Sequence, residues 1–165
     1  MIVANISLGQ GVIIDESSSV NNVRLGNQVK ISKRCSVFGS ATYILEIGAE
    51  TYVGPNAFIQ GYAAPVVVGA RVSIAQNVNI MSNSGPNASP RMQQVFPLVE
   101  GAVHIGDDCW IGANAVILPG VTLGECCVVA ANSLVSQSFE AFSVVGGNPA
   151  RLLRRLNPTA LPEVK

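Results

Sequence analysis

The chain has one histidine and one tryptophan among its 165 residues, and aromatic residues make up only 5% of it. A single imidazole excludes the metal sites that gather three histidines. None of the four cysteines stands in a CxxC spacing, so no metal is expected. Charge is scarce at 12%, ten basic residues balanced by ten acidic ones. The basic excess that marks nucleic-acid or anionic-membrane binding is therefore missing. No apolar run approaches the roughly 20 residues of a membrane-spanning helix. The opening MIVANISLGQG carries neither a basic stretch nor a cleavage pattern, so a cytoplasmic protein is expected.

Apolar residues are abundant, 48% of the chain, and they keep a beat of six. Ile105, Ile111, Ile117, Leu123, Val129 and Val135 fall six apart without a miss, with glycine following at Gly106, Gly112 and Gly124. The same beat returns as Val68, Ile74, Ile80, as Ile47, Val53, Ile59, as Leu25, Ile31, Val37, and as Leu8, Ile14, Val20. Six residues per flat side are too few for a helix–turn–helix repeat and fit a hexapeptide β-helix. Three sides close one coil, so Ile105 stacks on Leu123, Ile111 on Val129 and Ile117 on Val135, with coils about 4.8 Å apart. The glycines are expected to supply backbone angles that a β-carbon disfavours. Asn27, Asn56, Asn77, Asn114 and Asp107 suit the remaining corners.

The length is that of one domain. Exposed flat faces without net charge favour self-association. Cys35, Cys109 and Cys127 occupy the small inward position of their hexads and are read as packing. Cys126 faces outward. Trp110, on an outward position, is a candidate wall of an interface site for substrate.

The run VHIGDDCWIGANAVILPGVTLGECCVVAANSLVSQSFEAFSVVGGNPARLLRRL, from Val103 to Leu156, resembles the hexapeptide-repeat acetyltransferases of the maltose, galactoside and polysaccharide O-acetyltransferase group. Residues 66–80 are similar in outline, and residues 1–65 only as generic hexads. The resemblance implies a left-handed parallel β-helix, a homotrimer, and acetyl transfer from acetyl-CoA to a hydroxyl of a sugar or surface-polysaccharide intermediate. By the same resemblance Ala113 and Ala131 meet the pantetheine arm through their backbones, Ser136 adds a contact, and Arg151 and Arg154 stand near the nucleotide phosphates. Gln137 departs from the family, which often has lysine there. The expected organisation is an all-β helix over 1–148 with an extruded loop at about 81–102. A C-terminal helix and tail follow over 149–165, with Pro149 opening the helix and Leu152, Leu153 and Leu156 packed on the prism.

In the resembling enzymes a histidine at the start of the loop is the general base. This chain reads MSNSGPN there, so Asn83, Ser84 or Gly85 takes the place, and none accepts a proton near neutral pH. About nineteen residues are inserted between Ile80 and Ile105, which returns His104 near the point of departure. His104 is thus the candidate replacement base, with Glu100, Asp107 or Asp108 to orient it. Ser82 and Ser84 are candidates to bond a sugar acceptor; Tyr52, Phe58 and Tyr62 are candidates to stack on it. Two readings follow, an O-acetyltransferase using His104 or positioning alone and a trimeric pseudoenzyme that keeps the coenzyme groove, with a site completed by a group from the neighbouring subunit as a third.

Overall fold

The computed structural model describes residues 5–160. It is a parallel β-solenoid of about six coils with three flat sides. Side one stacks Ile6–Leu8, Val23–Leu25, Leu45–Ile47, Val66–Val68, Val103–Ile105 and Thr122–Leu123. Side two runs from Ile13–Ile14 through Trp110–Ile111 and Val128–Val129 to Ser143–Gly147. Side three runs from Ser19–Asn21 to Leu134–Val135. Strands of two or three residues are too short to stand alone; each is held by pairing with the coils on either side.

The expected stacking is observed. Ile105 pairs with Leu123, Ile111 with Val129 and Ile117 with Val135. Their side chains line one continuous core in which Ile111, Ile117 and Val135 are fully buried. Each such burial stabilises the fold by about 1.5–3 kcal/mol. Where the small inward position holds a thiol or hydroxyl, that group satisfies the corner of a neighbouring coil. Cys109 Sγ donates to the Gly124 carbonyl at 3.1 Å, Cys35 Sγ to that of Gly54 at 3.1 Å, and Thr51 Oγ1 to that of Gly69 at 2.8 Å. Burial pushes the Cys35 thiol up, as expected of a packing residue.

The corners differ from expectation in one respect. Gly106, Gly112 and Gly124 do not have positive φ. Their corners leave no room for a side chain: a β-carbon on Gly106 would sit 2.5 Å from the Glu125 nitrogen, and one on Gly112 2.6 Å from the Ala131 nitrogen. Positive φ falls instead on Asp108 and Cys126 at the corner between sides one and two, and on Asn56, Asn77, Asn114 and Asn132 between sides two and three. Those asparagines form a ladder, each amide donating to the next at 3.0–3.1 Å. Asn27 and Asp107 stand one place earlier and accept from the backbone of the preceding coil.

After Ile80 the chain leaves the prism as a hairpin whose stem pairs Asn83 with Glu100 and Ser84 with Val99. One helical turn, Pro90–Gln93, is capped by Ser89. Side one then resumes in register, Val68 beside Ile105.

The expected C-terminal helix is not formed. Ala150–Arg155 is a strand, antiparallel to Ser143–Gly147. The last coil presents an open sheet edge with unpaired backbone groups, and the GGNP turn reverses the chain onto that edge. Leu152 and Leu153 are exposed on this strand, and Arg155 is anchored to Glu140 at 2.8 Å. Residues 161–165 of the expected tail lie outside the described residues.

Candidate functional site

Between the hairpin and the prism edge lies a cleft of about 430 Å³. Ser84, Gly85, Pro86, Phe96, Pro97 and Val99 form the hairpin wall; Leu118, Pro119 and Ser136, from the next two coils, form the other. Ser84 and Ser136, singled out for acceptor and coenzyme, are thus brought together. The walls between them are apolar, which suits a site that excludes water from a thioester.

Ser82 is not available to an acceptor. It is fully buried, donates to Gln60 Oε1 at 2.9 Å and accepts from the amides of Ala63 and Ala64 at 3.2 and 3.4 Å. Asn83 is turned away as well. Successive side chains on a strand point to opposite faces, so Ser84 faces the cleft while the Asn83 carboxamide accepts from Gln60 Nε2. Both residues serve to fasten the hairpin base to the Gly61–Pro65 turn.

His104 lies on side one, exposed, between Val67 and Thr122 in the ladder. It does not line the cleft of its own chain. Neither aspartate orients it: Asp107 Oδ1 accepts from the Ala70 amide at 2.9 Å, and Asp108 holds Arg71 in a two-pronged pair at 2.8 Å. The Arg71 hydrogen bond keeps the Asp108 carboxyl below the usual carboxylate range. Glu100 is exposed on the hairpin stem. Among the described residues no titratable side chain lines the cleft.

Ala113 and Ala131 stack at the corner between sides two and three, in the column occupied below by Pro55 and Gln76. Their amide N–H groups have no protein acceptor among the described residues, and Ala131 is exposed. That corner and Ser136 mark opposite ends of side three. Half-buried Val116 and Leu134 form an apolar strip between them. Arg151 and Arg154 extend side two on the last strand, opposite Gly146 and Val144. Trp110 is 57% exposed on side two, beside Ser73 and Val128, away from the cleft. Tyr52 stands on the same side, and Phe58 packs edge-to-face on Phe38 at 5.6 Å.

The bacterial transferase hexapeptide family (six repeats) matches residues 102–137. A Vibrio cholerae hexapeptide-repeat acetyltransferase, solved with acetyl coenzyme A, is 31% identical. The match covers 82% of this chain and 72% of that one, with a TM-score of 0.70. The chain belongs to the hexapeptide-repeat acetyltransferase family. A galactoside acetyltransferase solved with coenzyme A is 27% identical over 84% of this chain and 66% of its own, with a TM-score of 0.71. An Escherichia coli protein named for lipopolysaccharide biosynthesis O-acetyl transfer is 29% identical over 152 residues, 92% of this chain and 64% of its own length. This hexapeptide-repeat chain spans less than two thirds of the length of the curated relatives it matches. No helix among the described residues is long and apolar enough to cross a membrane.

Proposed function

We propose that this protein moves the acetyl group of acetyl-CoA to a hydroxyl of a sugar or surface-polysaccharide intermediate, as a homotrimer in the cytoplasm. The hairpin cleft, where Ser84 and Ser136 meet among apolar walls, carries the proposal. Family membership and the acetyl-CoA complex of the Vibrio relative support the donor; the name of the E. coli relative supports an oxygen acceptor. The pantetheine arm runs along the Val116–Leu134 strip, between the free amides of Ala113 and Ala131 and the Ser136 end. Arg151 and Arg154 hold the phosphates, for which a guanidinium fork is well shaped.

In the reaction the acceptor oxygen forms a bond to the thioester carbonyl carbon, the carbon–sulfur bond breaks, and the acceptor proton passes to a base. General-base help contributes typically 10²–10⁴-fold. Among the described residues of its own chain the cleft has no base, so His104 serves from the side-one face of an adjoining copy. Association is supported by the hairpin itself, whose Met92, Val95, Phe96, Leu98 and Val99 stand 41–69% exposed. A second reading, a trimeric pseudoenzyme that keeps the coenzyme groove, is favoured by the same lack of a titratable wall.

Calorimetric titration with acetyl-CoA, followed by thiol release with mono- and disaccharides, separates them. Turnover that falls about a hundredfold or more in His104→Ala supports the first reading with His104 as base. An unchanged rate removes His104 from that role. Binding without turnover favours the pseudoenzyme, and no binding removes the coenzyme assignments.

A further inference from the structure

A cavity of about 660 Å³ lies outside the cleft but on the same edge of the prism. Its walls come from the corner between sides three and one in the first three coils: Asn21 and Asn22, then Phe38, Ser40 and Tyr43, then Tyr62. Tyr43 is 37% and Tyr62 63% exposed, large ring surfaces that the core does not use. Asn22 donates to Asn21 Oδ1 at 3.1 Å, while Asn21 Nδ2 has no acceptor among the described residues. Among the described residues no charged side chain lines the cavity. Rings beside amides, with no ion, form a surface for a neutral, hydroxyl-rich ligand: the apolar C–H face of a pyranose covers a ring and its hydroxyls reach the amides.

The cavity wall is tied to the base of the hairpin. The Tyr62 turn is bonded through Ala63 and Ala64 to Ser82, and through Gln60 to Ser82 and Asn83, at the hairpin base. Asn83, one of the three residues at the place of the family histidine, is thus bonded through Gln60 to the tyrosine turn. Cavity and cleft occupy coils one to three and four to six, so their centres are about 14 Å apart at roughly 4.8 Å per coil.

From this geometry we infer that Tyr43, Tyr62 and Asn21 form a subsite for a distal, uncharged sugar unit, and that the acceptor is an oligosaccharide rather than a monosaccharide. The inference rests on the transferase reading for the chemistry at the cleft, but the subsite binds sugar whether or not transfer occurs. A glycan array bearing neutral and anionic glycans of one to six residues, read with the whole protein, tests it. Neutral glycans of two or more residues are retained by the wild type and by Tyr62→Phe, and bind about tenfold more weakly to Tyr62→Ala and Tyr43→Ala, a loss of about 1.4 kcal/mol. Both tyrosines are surface residues, and unchanged acetyl-CoA affinity shows that the variants are folded. Binding confined to monosaccharides or anionic glycans, binding indifferent to both alanine variants, or no binding at all overturns the subsite. Thiol release on the same glycans keeps the two failures apart. Transfer without array binding sinks the subsite alone; array binding without transfer sinks the transferase reading alone.

Discussion

Two of the prism's corners and the third behave as different materials. From side one to side two, and from side two to side three, the inward aliphatic residues are six apart in every coil, from Leu8, Ile14 and Val20 to Leu123, Val129 and Val135. From side three back to side one the spacing is irregular: Val20 to Leu25, Val37 to Ile47, Ile59 to Val68, Ile80 to Ile105. All the length variation is collected on one edge, and both the cleft and the aromatic cavity lie there. The regular corners stack backbone on backbone without space for insertion. The third corner carries the loops, and a long loop on a rigid scaffold is where a binding surface can be built.

The contrast can be broken most strongly from inside. Ile111→Ala removes a fully buried side chain from the middle of a column and is expected to cost about 2–5 kcal/mol. Denaturant unfolding measures it; a cost under about 1 kcal/mol would mean that the columns are not what hold the coils. A matched pair of glycines sharpens the comparison. Gly106→Ala, at a regular corner, drives a β-carbon to 2.5 Å from backbone and is expected to cost about 1–3 kcal/mol. Gly61→Ala, on the irregular edge, meets nothing nearer than 3.4 Å and is expected to leave the midpoint within about 0.5 kcal/mol of wild type. Equal losses would erase the distinction.

The same division decides how much could be read from the sequence. The fold was legible because every inward residue of the regular sides repeats the same physical demand, and the register pairs Ile105 with Leu123 as the spacing requires. The glycine corners were located but given the wrong cause, since crowding by the next coil leaves no trace in a single strip of sequence. The C-terminal segment was misread because ARLLRRL satisfies a helical period, while the open edge it closes exists only in three dimensions. At the site, Ser84 and Ser136 are brought together, whereas Asn83 takes the other side of the two-residue strand and Ser82, just before it, is buried against the Gly61–Pro65 turn. Tyr43 sits in the long step between Val37 and Ile47, where no motif announces an aromatic cavity.

Ser82→Ala probes the fastening of the edge. It leaves the Ala63 and Ala64 amides without their shared acceptor, a loss of about 1–3 kcal/mol when such groups stay buried, while Gln60 Oε1 keeps the Ser82 amide. Hydrogen exchange is expected to rise in residues 61–65 and 82–101 and to stay unchanged across Val116–Val135. Exchange rising equally everywhere would show that the edge and the prism unfold as one unit.

A modest effect belongs to the regular corner, where Asp108 has positive φ and grips Arg71. Asp108→Asn suits that backbone but removes the charge and turns one of the two accepting oxygens into a donor, so the difference measures the ion pair together with its second hydrogen bond. The Arg71 hydrogen bond holds the folded carboxyl below its unfolded value of about 3.9. The unfolded chain therefore takes up the proton first as pH falls, and the pair's stabilisation is complete above that value and lost as pH drops through the lower folded one. Partly exposed, the pair is worth about 1–3 °C in Tm at neutral pH. The gap between wild type and Asp108→Asn is expected to be flat from pH 8 to 5, to close below about pH 4, and to shrink with salt. A gap that persists at pH 2 would assign the stabilisation to the shape of the corner rather than to its charge.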